Sequence, residues 1–420
     1  RPATKAWDPL HDRALVLENK MKLAIVVVDS CYLPRTILDP AKKEIEKKTG
    51  IPVTHQLIAA THTHSAPASK QSWAAGVKPS PAYVKQMTEG IIASVVQAHA
   101  RRQPAEIGWG RAKLAEQVHN RRWFMKMGGI RPNPYGELVD QVRMNPPRGS
   151  KLLDRPAGPI DPEIMFLSVR SKKGTPLALL ANYSLHYVGG VPRGGVSSDY
   201  FGEFANQIKK RLAPKSDVFV GILSNGTSGD INNINFREPS PRRKPFEQIR
   251  LVARRVAEEV MKAHKKVQFK DDPVLKMAQS KLTVKIRKPT KLQIERAKKH
   301  LAETDAQKLP IRAKQYGRPA SQLAQDQPTT EVILQALQIG EVGITAIPCE
   351  VFVEIGLELK RKSPLKPTFT IELANDHFGY LPTPRQHRLG GYETWLGTNM
   401  LEVNASEKIT KALLKMLQFE

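Results

Sequence analysis

The residues best able to do chemistry sit just past apolar runs. Ala60-Thr61-His62-Thr63-His64-Ser65 follows the run Gln56–Ala60, and two histidines at i and i+2 on extended backbone project to one side. Imidazole is a natural zinc ligand, although a His-x-His pair alone equally suits surface histidines or hydrogen-bonded core ones. A second run, Leu177–Ala181, leads through Asn182-Tyr183-Ser184-Leu185 to His186, and a third, Ile344–Ile347, ends in Pro348-Cys349-Glu350. His62, His186 and Glu350 together make the two-histidine, one-carboxylate set of catalytic zinc sites. A fourth run, Val218–Leu223, enters Asn225-Gly226-Thr227-Ser228-Gly229-Asp230-Ile231-Asn232-Asn233. That stretch is rich in turn formers and reads as a tight surface turn or as another wall of the same site. Tyr380 and Tyr392 lie in Gly/Pro-rich stretches, where packing of a core or lid is the alternative to a functional role.

Such a site needs strands that end side by side. Strand-length apolar runs recur at Leu23–Val28, Gln56–Ala60, Ile164–Val169, Leu177–Ala181, Val218–Leu223, Ile333–Ile339, Ile344–Ile347 and Phe369–Leu373. Helical periods lie between them. Val84, Met87, Ile91, Val95 and Ala98 line one face after Ser80-Pro81, and Phe201, Phe204, Ala205, Ile208 and Leu212 line another after Ser198. Thr290 and Gln293 have capping-box spacing, and Ile409, Ala412, Leu413 and Met416 mark a last helix. The alternation predicts an α/β fold of mostly parallel or mixed central sheets flanked by helices, its site at strand C-terminal ends. Residues 126–162, with seven prolines and Gly128-Gly129, read as a long loop, and 305–330 as polar chain broken at Gly317-Arg318-Pro319.

Composition removes several classes. Of 420 residues, 40% are apolar and 25% charged, which suits a globular chain and excludes collagen, coiled coil and disorder. No apolar run approaches the roughly 18 residues of a membrane span. Sixty-six Lys/Arg against 40 Asp/Glu give a formal charge of +26, with ten Lys/Arg against three Glu in 241–270. Nucleic acid is nonetheless not the expected partner, because aromatics make up only 6% and no stacking stripe of Phe or Tyr interleaves with the basic residues. An anionic membrane surface or a simple solvated basic face fits better. Cys31 and Cys349 are too few for a disulfide framework. A chain beginning at Arg1 fits a secreted or periplasmic protein with its signal removed.

Taken in order, Thr61-His62-Thr63-His64-Ser65-Ala66-Pro67, the stretch Asn182 to His186, Gly229-Asp230, Pro348-Cys349-Glu350 and Tyr380…Tyr392 resemble the neutral/alkaline (non-lysosomal) ceramidases, from Asp8-Pro9-Leu10 to the last helix. The resemblance implies a zinc amidohydrolase in which His62, His186, Glu350 and Tyr380 hold Zn2+, and His64 beside them handles protons. Asn120-Arg121 resembles the family's Asn-Arg, whose arginine faces the catalytic site, and Tyr392 the tyrosine that steadies the oxyanion. Asp230, Asn232 and Asn233 would contact substrate. The family's Gly-Asp-Val-Ser-Pro-Asn turn reads Gly229-Asp230-Ile231-Asn232-Asn233-Ile234 here, so asparagine stands where the family has its serine. Asparagine donates and accepts hydrogen bonds but is no nucleophile. The resemblance further implies one ceramidase-like domain over 1–420, without the family's immunoglobulin-like C-terminal domain. The expected substrate is a lipid or other N-acylated small molecule. A different amide or ester, polar or cell-wall derived, and a non-enzymatic polyanion-binding protein are the alternatives.

Overall fold

The computed structural model describes residues 3–71, 77–310 and 312–419. Its framework is three mixed sheets, and each contains one parallel pair. In the first, Asp12–Asn19 runs antiparallel to Met21–Val28, which pairs in parallel with Gln56–Ala60. In the second, Ala105–Lys113, Glu163–Ser171 and Pro176–Tyr183 alternate in direction, and Val220–Asn225 lies parallel to the last. In the third, Leu275–Lys285, Thr329–Ile339 and Val342–Ile347 alternate, and Thr368–Glu372 lies parallel to Val342–Ile347. Of the two expected arrangements, mixed sheets are the one present, and antiparallel neighbours outnumber parallel ones.

The sheets face one another. Leu23 and Ile25 of the first, Leu180 and Ile222 of the second, and Ile344 and Ile371 of the third share one buried cluster. Helices cover the outer faces: Arg35–Thr49 and Pro81–Ala100 on the first sheet, Asp199–Leu212 and Glu247–His264 on the second, Val353–Lys362 and Ala405–Met416 on the third. Sheets sandwiched in this way are buried on both faces, which is why a stretch such as Leu23–Val28 reads as an unbroken apolar run rather than an alternating one. Truncating a central residue such as Ile222 to Ala opens a cavity worth about 2–5 kcal/mol. The first and third sheets are also stitched together: Leu373 O accepts from Ala60 N at 3.1 Å, and Ile58 O from Asn375 N at 2.9 Å.

Two segments differ from expectation. The stretch after Arg121 is not one long loop, because Val142–Met144 and Leu153–Pro156 pair with Arg122–Met125 in a small three-stranded sheet. Gly317-Arg318-Pro319 does not break the chain but lies inside the helix Ala313–Gln325. Its Ala313, Tyr316, Ala320 and Leu323 form a buried stripe, and Gly317 lies close against Leu301 and Ala297 of the neighbouring helix, so packing overrides the local penalty. The Thr290–Gln293 capping box forms as its spacing predicts.

Candidate metal centre

All three parallel pairs end at one place, and each supplies an arm of the site. Beyond Val28 and Ala60 come Cys31, His62 and His64; beyond Tyr183 and Asn225 come His186 and Ser228; beyond Ile347 and Glu372 come Glu350, His377 and Tyr380. The ladder of the first pair continues into the site, with Thr61 N donating to Val28 O and His62 N to Ser30 O, both at 2.9 Å. His62 then adopts φ +75°, a left-handed conformation unusual for a residue with a β-carbon. The two histidines therefore do not meet through simple strand alternation. They meet because His62 turns, which brings His64 Nε2 to 3.2 Å from His62 Nε2.

The donor atoms of His62, His186 and Glu350 lie within 4.8 Å of one another, and all three side chains are buried. His62 Nδ1 donates to Cys31 O at 2.7 Å and His186 Nδ1 to Ser228 O at 3.1 Å. Because a carbonyl only accepts, both imidazoles carry a hydrogen on Nδ1 and turn Nε2 inward, where it offers a lone pair whenever the ring is neutral. Those two Nε2 atoms are only 3.1 Å apart. Glu350 Oε2 sits 3.3 Å from His62 Nε2 and 3.8 Å from His186 Nε2, yet makes no hydrogen bond and is shut off from solvent. Two nitrogen lone pairs and an unpartnered carboxylate oxygen facing one another repel unless a cation lies between them. A proton answers this in part. Burial disfavours charge on His62, but the Glu350 carboxylate, with Cys31, outweighs it and holds the imidazole well above its ordinary range. His186 moves the other way, held neutral by burial and by Arg121. Nitrogen and oxygen donors in this number suit a divalent metal ion.

Several groups that sequence reasoning missed aim these donors. Ser228 Oγ lies 3.3 Å from His186 Nδ1 and donates to Glu372 Oε1 at 2.6 Å, while Glu372 Oε2 accepts from Val351 N at 2.6 Å. One fully buried carboxylate thus braces both His186 and the backbone beside Glu350. Burial pushes Glu372 up to about 8 against the opposing hydrogen bond from Ser228. Its signal in the sequence is a lone ionisable residue closing the apolar run Thr368-Phe369-Thr370-Ile371. His377 Nε2 approaches Glu350 Oε1 at 3.5 Å and stacks on Tyr32. Tyr187 stacks on His64 with ring centres 3.8 Å apart. Cys31, His62 and His64 form a second group of close donors that shares His62.

The remaining expected residues fall into two sets. Arg121 is buried, donating through Nη2 to Tyr380 Oη at 3.0 Å and to Gly229 O at 2.8 Å, and through Nε to Glu393 Oε1 at 3.0 Å. Glu393 also pairs with Arg122, at 2.7 Å. Tyr380 is aligned with Glu350 in a short parallel ladder. Burial and the Glu350 charge keep its phenol well above the ordinary range despite Arg121. The Tyr392 ring lies 5.8 Å from that of Tyr380. The Asp230 turn is tied down instead. Asp230 Oδ1 accepts from Val353 N and Oδ2 from Asn120 Nδ2, both at 2.8 Å. Asn232 Nδ2 donates to Asn145 Oδ1 at 3.2 Å, and Asn233 Oδ1 accepts from Gln248 at 3.3 Å.

No protein-family profile and no curated protein sequence matches the chain. Solved structures do. The neutral ceramidase from Pseudomonas aeruginosa superposes with a TM-score of 0.71 at 17% identity, over 97% of this chain and 68% of that one. A ceramidase complexed with C2 superposes with a TM-score of 0.70 at 16% identity, over 97% and 69%. At such identities the likeness is one of fold: the three sheets and their helices are arranged as in ceramidases.

Proposed function

We propose that this chain is a ceramidase-like, zinc-dependent hydrolase of an N-acyl linkage. The observation that carries the reading is the pair of inward Nε2 lone pairs beside an unpartnered, buried Glu350 oxygen. His62, His186, Glu350 and Tyr380 would hold the ion, which when bound supplies a Lewis acid and activates water at neutral pH. The chain's own residues do the rest. The Cys31 and Ser228 carbonyls accept from Nδ1 of His62 and His186, so both rings are already turned with Nε2 toward the site before any ion arrives. Arg121 holds the Tyr380 hydroxyl in place and brings a fixed positive charge to the wall where negative charge develops. His64, exposed and stacked on Tyr187, is positioned to hand a proton to the leaving amine. The Tyr392 hydroxyl is the second donor for the oxyanion. With Asn232 at the family's serine position, the reaction proceeds without a covalent intermediate on that turn.

The substrate is an N-acylated lipid of the ceramide type, met at an anionic surface that the +26 charge favours. A second reading, a polar amide or ester, is favoured by the polar cluster that Asn232 and Asn233, just past Asp230, form with Asn145. Fatty-acid release from a panel of N-acyl sphingosines and simple N-acyl amides, with bound metal measured on the same sample and a chelator in parallel, separates the two. Chelator-sensitive release from ceramide is the expected result. Bound zinc with turnover only of polar amides selects the second reading, and a chain that binds no metal sinks both.

A further inference from the structure

The small sheet built on Arg122–Met125 starts at the candidate site and ends in solvent. Arg121 is buried beside Tyr380, while Met127, six residues on, is 98% exposed at the tip. At about 3.3 Å per residue that is roughly 20 Å of extended chain. The tip is apolar. Among the described residues, nine large apolar side chains are exposed, and two of them, Met127 and Leu152, belong to this tip. Lys126 N donates to Leu152 O at 2.9 Å, which sets Leu152 beside the turn that carries Met127.

The tip is also cationic. Lys126, Arg131 and Lys151 are exposed and form no ion pair among the described residues. The acid that follows Leu152 and Leu153, Asp154, is engaged by Arg155. Apolar side chains on a protruding turn, ringed by unneutralised lysine and arginine, offer no concave surface for a shaped partner. They suit a fluid anionic interface, where burial of a few apolar side chains and attraction to headgroups add together.

We infer that this tip is a docking element for an anionic lipid bilayer: Met127 and Leu152 enter the interface, and Lys126, Arg131 and Lys151 sit against its acidic headgroups. The inference rests on the hydrolase reading only for its purpose, which is to bring the site wall to where an acylated lipid lies. The test therefore uses vesicles without any N-acyl lipid. Wild-type protein is expected to co-sediment with phosphatidylglycerol vesicles and to dissociate as salt rises, with little binding to phosphatidylcholine. Met127→Asp combined with Leu152→Asp should weaken partitioning more than tenfold, and Lys126→Glu or Lys151→Glu about fivefold each. Hydrolysis of a water-soluble amide should not change in these variants. In a separate Met127→Trp variant, added emission that shifts to the blue on vesicles and is quenched by brominated lipid places the tip in the bilayer whether or not the charged variants fold well. Vesicle binding that ignores these substitutions overturns the inference. So does a wild type that ignores vesicles while Met127→Asp breaks up a self-associated form, which would make the tip a contact between copies. Docking with no amide hydrolysis would leave this inference standing and remove the hydrolase reading instead.

Discussion

Glu350 and Asp230 look alike in the sequence, each a carboxylate a few residues past an apolar run, and they end in opposite circumstances. Both are buried. Asp230 has a donor on each oxygen, Val353 N and Asn120 Nδ2, so it ties the turn to the start of the helix Val353–Lys362. Glu350 Oε2 has none and faces two imidazole lone pairs. Burying an unpartnered carboxylate oxygen is costly, and the fold holds it there with a network of outer contacts. The difference separates polar groups that stabilise the scaffold from polar groups kept open for a ligand. Glu372 is a third kind, fully partnered, but through the groups that aim His186 and Glu350.

The strongest test removes an open donor. His62→Ala or Glu350→Ala should abolish metal uptake and lower hydrolysis by more than the roughly 100-fold that losses outside the ligand set reach. Melting temperature in metal-free protein should fall as well, since each variant strips the remaining member of the buried His62–Glu350 pair of its partner. Unchanged metal content in either variant would erase the distinction between the two carboxylates.

The intermediate effect belongs to Glu372. Glu372→Ala leaves Ser228 Oγ and Val351 N without their acceptor, so metal affinity should fall about 10- to 100-fold. Glu372→Gln, which keeps an oxygen and a donor in the same places, should recover most of it. With cobalt as a reporter ion, the visible spectrum should alter in the alanine variant even at saturating metal. An unaltered spectrum there would mean that Glu372 supports the fold without aiming the ligands.

How much of this was legible in the sequence follows the same division. His62, His186 and Glu350 could be grouped because each follows a strand, and parallel strand ends are where such folds gather side chains. The sheets themselves were legible wherever strands are buried on both faces. Asp12–Asn19 and Leu275–Lys285 were not, being partly exposed and less continuous in apolarity. The helix Arg35–Thr49 was hidden by Pro40 inside it. The aiming groups were illegible for another reason. Cys31 contributes through its carbonyl, and Ser228 and Glu372 act at 42 and 186 residues from His186 in the chain. Only the fold shows which carboxylate is fully partnered and which is open.

The smallest effect on the metal is expected at Asp230, and it gives the comparison its sharpest form. Asp230→Asn should change metal affinity less than about threefold, because its oxygens touch no ligand. Its mark should appear in stability against pH. Burial pushes Asp230 up to about 6 from its ordinary 3.8, with Val353 N and Asn120 pulling the other way. A carboxyl raised on folding holds its proton more tightly in the folded chain. Below pH 3.8 both states are protonated and the group is neutral in effect. Between about 3.8 and 6 the unfolded chain releases the proton while the folded one keeps it, so stability falls as pH rises. Above about 6 the loss is complete, on the order of 3 kcal/mol for two pKa units. Asparagine does not titrate, so the stability of the wild type relative to Asp230→Asn should decline by about that amount between pH 4 and 7. The lost Asn120 hydrogen bond adds only a pH-independent offset. Denaturant midpoints across this range measure the slope. A flat difference, or metal affinity falling as far as in Glu372→Ala, would mean that the Asp230 turn serves the metal site rather than the scaffold.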